Sequence, residues 1–336
     1  MAASPVLSIC IPTYNFGAFI GATLDSILGQ HTRGLEIVIL DGGSTDDTAQ
    51  VVASRQRACP DIRFVRRPAP GGIDNDLAAC VDLATGTYCW LFSADDVMRP
   101  GAIVKIMEEV AQGHDLLLCR HSDCTIDMRV MQDHPILVNS ATTTYYLRTR
   151  ADAAAYFAHA VTTEAMFSFM GGIIISTQRW RSLPIDERFV GSCWAHVARI
   201  LELIDRGLTL RYLHDVLLDR RGDNDSFAHR GVVHRYAIAV DGYTRLAETF
   251  YGQGSLEAAE FRRVLRNEFG LRHFLAAKFA CRKNPSTEDF GKLRAMMSGL
   301  YADASPAVRL KYFCFLVVPV GLYDFARRIR HRISGY

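Results

Sequence analysis

Four times within the first hundred residues, a short apolar run gives way to a loop rich in Asp, Gly, Asn or Pro. A stretch of helical periodicity then follows. Val6 to Pro12 (VLSICIP) runs into Thr13-Tyr14-Asn15-Phe16-Gly17 and a helix over about Ala18 to Leu28. Leu35 to Leu40 (LEIVIL) is apolar almost throughout, as expected of a parallel strand covered on both faces. It ends in Asp41-Gly42-Gly43-Ser44-Thr45-Asp46-Asp47. The glycines permit a sharp turn, and Ser44 or Thr45 is placed to cap a helix running to about Arg57. Ile62 to Val65 is a third strand, followed by a helix over Ile73 to Ala84, and Tyr88 to Phe92 is a fourth. Such alternation predicts an α/β fold, a mostly parallel sheet with right-handed crossovers and flanking helices. Ligands of such sheets sit outside the carboxyl ends of the strands. Thr13, Asp41 and Asp95 all fall at those ends and are expected to converge.

The fourth strand ends abruptly in Ser93-Ala94-Asp95-Asp96, and Pro100 opens the next helix. Two adjacent carboxylates at the exit of a buried strand are costly unless something pairs with them. Hard divalent cations take oxygen ligands, and Mg²⁺ commonly bridges one or two carboxylates to substrate phosphates. A solvated acidic turn would read the same way in isolation; convergence with the other strand ends favours a ligand site. The chain has no G-x-x-x-x-G-K-[ST] and no G-x-G-x-x-G. That argues against a P-loop kinase or an ordinary dinucleotide-dependent dehydrogenase.

VLSICIPTYN, EIVILDGGSTDDT and GTYCWLFSADD with its following proline together resemble the N-terminal half of family 2 glycosyltransferases with the GT-A fold. The later pieces FSFMGGIIIS, RFVGSCWAH and RRGDNDSF are similar to the abequosyltransferase-like branch, which decorates bacterial surface polysaccharides. The resemblance implies roles at matching positions. Pro12, Thr13, Tyr14 and Asn15 would line the nucleotide pocket, and Asp41 would hydrogen-bond the base. Asp95 would hold a divalent metal, Mn²⁺ or Mg²⁺, against the diphosphate. Asp96 would help hold the ribose or donor sugar, with Asp74 also on the donor side. The chain departs from the family at three places. Ser93 stands where an acid is frequent, Asn75-Asp76 where Arg-Asn is frequent, and Ser192-Cys193 where Glu-Asp is frequent.

An inverting transfer needs a base for the acceptor proton. His196, on a helix starting near Cys193, is the expected base, with Asp186 just upstream as the alternative. A packed helix histidine and a turn aspartate are the plain readings of the same residues. The run Arg220 to Ser226 is dense in charge and turn formers. It is expected to be a loop closing over the diphosphate, with Arg221 supplying positive charge; an ordinary surface loop is the plain reading.

The 336 residues divide, on this reading, into a GT-A domain over 1–230 and a helical, basic region over 231–336. Net charge is only +2, but Phe261 to Tyr336 carries 15 of the 38 basic residues and 5 of the 36 acidic ones. That end nets +10 and the rest −8, which points to an anionic partner. Tyr312 to Tyr323 (YFCFLVVPVGLY) is an apolar aromatic run interrupted by Pro319, with Arg327, Arg328, Arg330 and Arg332 after it. It is too short to span a bilayer. Apolar aromatics beside a basic cluster suit a helix lying in a membrane interface; a helix docked on the core is the other reading. The nine cysteines form no Cys-x-x-Cys pair, as expected of reduced thiols. No signal peptide is evident at the start.

The function expected is a glycosyltransferase, hexosyl- or deoxyhexosyl- and inverting. Its donor is a nucleotide sugar and its acceptor a lipid-linked glycan of O-antigen-like synthesis. Its place is the cytoplasmic face of the inner membrane, held peripherally by an anionic membrane surface, with no nucleic-acid partner. The rivals are a sugar nucleotidyltransferase and a non-catalytic adaptor binding membrane or nucleic acid. The first would want a glycine-rich loop with a cation after the first strand, and PTYNFGAFIG has none.

Overall fold

A computed structural model describes residues 5–224, 226–301, 305–319 and 321. The chain divides into two compact units, 1–224 and 225–336. In the first, β1 (Leu7–Thr13), α1 (Gly17–Leu28), β2 (Leu35–Asp41), α2 (Thr48–Gln56), β3 (Ile62–Arg66), α3 (Ile73–Leu83) and β4 (Tyr88–Leu91) alternate as the apolar runs foretell. There follow β5 (Val97–Met98), α4 (Ala102–Val110), β6 (Leu116–Cys124), β7 (Val130–Asp133), β8 (Thr143–Leu147) and α5 (Arg150–Ala158). The unit ends with β9 (Ile173–Ser176), α6 (Thr177–Arg181), α7 (Ala195–Asp205) and β10 (Leu208–Arg221).

The ten strands form one sheet in the order β3-β2-β1-β4-β9-β6-β10-β5, with β7 beside β6 and β8 beside β10. β3, β2, β1 and β4 are parallel. β9 enters antiparallel between β4 and β6, and β10 runs parallel to β6. Every residue of β1 is buried, so its sequence cannot alternate between apolar and polar. Ile9, Ile11, Ile37, Ile39, Trp90 and Phe92 pack with Ile20, Leu24 and Ile27 of α1 in one core. The chain order turns back between β1 and β4, the switch point where such sheets bind ligands. Register sets Thr13 opposite Asp41 and Cys10 opposite Leu91, so three strands end side by side there.

The second unit is helical: α8 (Val232–Tyr251), α9 (Leu256–Glu268), α10 (Leu271–Lys283), α11 (Phe290–Tyr301) and α12 (Pro306–Val317). Tyr243, Phe261, Phe274, Tyr301 and Phe315 are buried and build its core, with edge-to-face contacts such as Phe274 against Tyr301 at 6.1 Å. The Glu288 carboxylate accepts from the N–H groups of Val232 and Val233 at 2.8 and 2.9 Å, where a negative charge stabilises a helix start. Lys278 donates to the carbonyls of Phe315 and Val318 at the end of α12. Within the expected apolar run α12 ends at Val317; Val320, Leu322 and Tyr323, like Arg327, Arg328, Arg330 and Arg332, lie outside the described residues. No described helix is long and apolar enough to cross a membrane.

Candidate active site

At the ends of β1 and β2 two loops are stapled together. Asn15 takes a left-handed conformation, φ +59°, which Asn tolerates better than most residues. From there its Oδ1 accepts from Thr45 N at 2.7 Å, while Asn15 N donates to Ser44 Oγ at 2.8 Å. Ser44 or Thr45 was expected to cap α2, but the Ser44 hydroxyl donates to Asp41 Oδ1 at 2.6 Å, its N–H reaches the same oxygen at 2.8 Å, and the Thr45 hydroxyl donates to Asn15 Oδ1 at 3.3 Å. Asp46 caps α1 across the gap, accepting from Gly17 N at 2.9 Å. Only glycine fits at position 17: a Cβ there would lie 1.8 Å from Asp47 Oδ1 and 2.9 Å from Thr48 N. These bonds fix Thr13 and Asp41. Each keeps a buried oxygen, Thr13 Oγ1 and Asp41 Oδ2, with no hydrogen-bond partner among the described residues. Arg66 Nε stands 3.4 Å from that Asp41 oxygen, close enough to offset charge but beyond a good hydrogen bond. Pro12 is buried opposite Leu40, and Tyr14 is exposed.

The exit of β4 meets the end of β10. Asp95 accepts from Ser93 Oγ on one oxygen and from Asn224 Nδ2 at 2.9 Å on the other. Asp96 is buried; its Oδ1 accepts from Arg221 N at 2.9 Å, and its Oδ2 has no hydrogen-bond partner among the described residues. Burial, with the Asp95 charge beside it, pushes the Asp96 carboxyl well above its usual range, against the pull of Arg220 and Arg221. Arg221 was expected on a loop, but it is the last residue of β10, opposite Cys124. Its guanidinium donates to the backbone of Asp95 at 2.9 Å and of Ile126, and lies 4.9 Å over the Phe19 ring. It is fastened in place beside the two aspartates.

Next to it Arg220 anchors a buried network. It pairs with Asp123 at 2.6 Å and Glu164 at 3.3 Å. His134 Nδ1 bonds Asp123 at 2.9 Å, and His121 Nε2 bonds Glu164 at 2.5 Å. Burial raises the Asp123 carboxyl, but the His134 hydrogen bond and the Arg220 charge outweigh it and hold the group well below its usual range. His134 is pushed down by burial, yet Asp123 and Glu164 carry it above 6.5. His121, Asp123 and His134 each bring one ligand atom within 4.8 Å of the others, a second place able to hold a metal. Arg220 already supplies positive charge there. The two imidazoles are stacked 4.8 Å apart at 20°, so their in-plane lone pairs run side by side and do not meet at a point. The groups present suit an ion-pair network better than a coordination site.

The profile of glycosyl transferase family 2 matches residues 8–169, which spans the three strand ends just described. The chain carries a family 2 glycosyltransferase domain. It is 28% identical over 268 residues to the abequosyltransferase RfbV of Salmonella typhimurium, covering 78% of this chain and 80% of that one. Among solved structures, TarS 1–349 of S. aureus in complex with UDP-GlcNAc superposes with a TM-score of 0.62 at 13% identity, over 92% of this chain and 89% of that one. The mannosyltransferase PcManGT of Pyrobaculum calidifontis, in complex with GDP-Man and Mn²⁺, does so with 0.54 at 17%, over 94% and 85%. The fold is therefore GT-A.

Three residues expected in the glycosyltransferase site have other tasks in this structure. Asp74, in the first turn of α3, accepts from three backbone N–H groups: Gly191 at 2.8 Å, Cys193 at 3.0 Å and Ala195 at 3.0 Å. Both oxygens are engaged at the start of α7, where a helix favours an anion. Asp186 is bound by Arg188 through Nε and Nη2 at 2.9 and 2.7 Å. His196 is buried, and its Nε2–H donates to Phe167 O at 3.0 Å. Burial lowers its pKa, with Asp74 and the Phe167 carbonyl opposing. That is the bonding of a packed helix histidine, and Asp186 stands in an ion pair. The sequence reading missed Arg220, Asn224 and Asp76. Asp76 takes the place of the frequent Arg-Asn and is met by Arg67 at 2.7 Å. The dense Arg220 to Asp225 run signalled two of them, but only pairing of β10 with β6 reveals what they face.

Proposed function

We propose that this enzyme moves a sugar from a nucleotide-sugar donor to a hydroxyl of a lipid-linked glycan, with inversion and with a divalent cation assisting. One observation carries the reading. Thr13 Oγ1, Asp41 Oδ2 and Asp96 Oδ2 are buried oxygens without a hydrogen-bond partner among the described residues, all at the carboxyl ends of adjacent strands. Orphaned buried polar atoms are uncommon and need an explanation. A polar donor lying across the strand ends would satisfy all three: base at Asp41, nucleoside over Pro12 to Asn15, diphosphate toward Asp95.

Asp95 and Asp96 offer oxygen donors alone, the set that Mg²⁺ or Mn²⁺ takes, so the residues fit such an ion. When bound, it would stabilise charge on the departing nucleoside diphosphate as a Lewis acid. Asp96, pushed toward its neutral form by burial and by Asp95, would ionise in response to a nearby cation. Arg221 and Arg220 keep positive charge beside the two carboxylates, and Asn224 orients Asp95. The relative named as an abequosyltransferase supports a role in polysaccharide synthesis, and neighbours solved with UDP-GlcNAc and with GDP-Man and Mn²⁺ support the donor and metal classes.

A lipid-linked acceptor, and a peripheral place on the cytoplasmic face of the inner membrane, rest on α12. Leu310, Phe313, Leu316 and Val317 are exposed on it, beside a C-terminal stretch of net positive charge. Such a helix suits an anionic membrane surface. Incubation with a panel of UDP-, GDP-, CDP- and dTDP-sugars tests the central reading. Release of nucleoside di- or monophosphate from one of them is expected. No release with any donor, in the presence of Mn²⁺ or Mg²⁺ and bacterial lipid extract, would favour the adaptor reading.

A further inference from the structure

The helical unit holds a cavity of about 700 Å³ between α8, α9, α11 and the start of α12. That is within the size range of small-molecule sites, roughly 300–1,000 Å³. Arg262 and Arg266, one turn apart on α9, both line it. Like charges at this spacing repel on an isolated helix. Arg266 donates to Leu300 O at 3.1 Å, while Arg262 makes no hydrogen bond or ion pair among the described residues. Glu248 of α8 lines the same cavity and is likewise without an ion pair among them, so opposite charges face one space without meeting. Thr244, Gln253 and Ser305 add hydroxyl and amide groups. Gly254 and Gly299 leave bare backbone: a Cβ built at either meets nothing within 4 Å.

An occupant that reconciles these groups has an anion for the arginines and hydroxyls for Glu248 and its polar neighbours. We propose that the cavity binds a phosphate ester carrying hydroxyl groups, either a phosphosugar or the polyol headgroup of an acidic phospholipid. Planar guanidinium groups match phosphate oxygens in pairs, and a carboxylate accepts from sugar or glycerol hydroxyls. The inference concerns the helical unit alone and does not depend on the donor reading.

The test titrates the full-length protein with glucose 1-phosphate in EDTA, which silences any metal-dependent diphosphate site. Saturable binding is expected, weakened about tenfold or more by Arg262→Gln and also by Gly299→Leu, which fills the space without touching charge. Leucine also suits an exposed helix position better than glycine, so loss of binding there cannot be laid to unfolding. Both variants should release nucleotide from the donor panel as the parent does. If nucleotide release fails while Arg262-dependent binding persists, the donor reading falls and the cavity stands. Competition by phosphatidylglycerol vesicles, but not phosphatidylcholine vesicles, assigns the lipid headgroup; no competition assigns the phosphosugar. Binding unchanged in both variants, or inorganic phosphate binding as tightly as glucose 1-phosphate, would overturn the proposal.

Discussion

Asp74→Ala separates a structural aspartate from a donor ligand. The side chain holds three N–H groups at the start of α7, and those groups differ in their access to water. Ala195 is buried, Cys193 is half-buried and Gly191 is exposed. Losing the buried bond leaves a donor unsatisfied, at about 1–3 kcal/mol. Water can replace the other two, for about 1 kcal/mol each. Cys193 sits at φ +73°, a strained conformation costing on the order of 1 kcal/mol or more that Asp74 helps to impose; its relaxation offsets part of the loss. The net expectation is about 3 kcal/mol. For a unit of this size that lowers Tm by roughly 10 °C, at about 2–4 °C per kcal/mol. Circular dichroism melts would read the shift. Donor KM, measured well below the melt, should stay within about twofold. A Tm within about 2 °C of the parent, together with a donor KM raised about tenfold, would make Asp74 a donor ligand and refute this reasoning.

Asp41→Ala should raise donor KM about tenfold with little change in kcat, the mark of lost ground-state binding; an unchanged KM in initial-rate assays would remove Asp41 from the base pocket. His196→Asn should keep kcat within about threefold, because the imidazole is occupied by Phe167 O; a fall of about 10² would restore it as the base. Stability should depend on pH through the Arg220 network. His134 has its pKa raised above 6.5, so its contribution is complete below 6.5 and is lost as pH rises through the raised value. Asp123 and Glu164 are lowered from 3.8 and 4.5, so theirs is present above those values and lost on acidification. Urea melts from pH 5 to 9 should therefore show an alkaline decline that His134→Gln flattens; equal slopes in both proteins would discount the pair.

The parallel half of the sheet was legible because buried strands leave unbroken apolar runs, and LEIVIL and YCWLF could be little else. The strand-end positions of Asp41 and Asp95 were legible for the same reason: each is the first charge after such a run. The antiparallel insertion of β9 was not, since IIIS carries no mark of direction. The bonding of Asp74 and His196 was not legible because neighbours distant in sequence set it, and spacing cannot show a carboxylate reaching 117 to 121 residues along the chain. Arg220 was taken for a loop residue because charge density near Gly222 and Asp223 looks like a turn, whereas pairing with β6 extends the strand through it.

Calorimetric titration of nucleoside diphosphates with and without Mn²⁺ tests the central claim most directly, using the parent, Asp95→Asn and His134→Gln. The account predicts that at least one of UDP, GDP, CDP and dTDP binds in a metal-dependent manner. Asp95→Asn should weaken that binding about tenfold or more, and His134→Gln should leave it intact. Metal-dependent binding that survives Asp95→Asn but disappears in His134→Gln would place the metal in the histidine network and contradict the account.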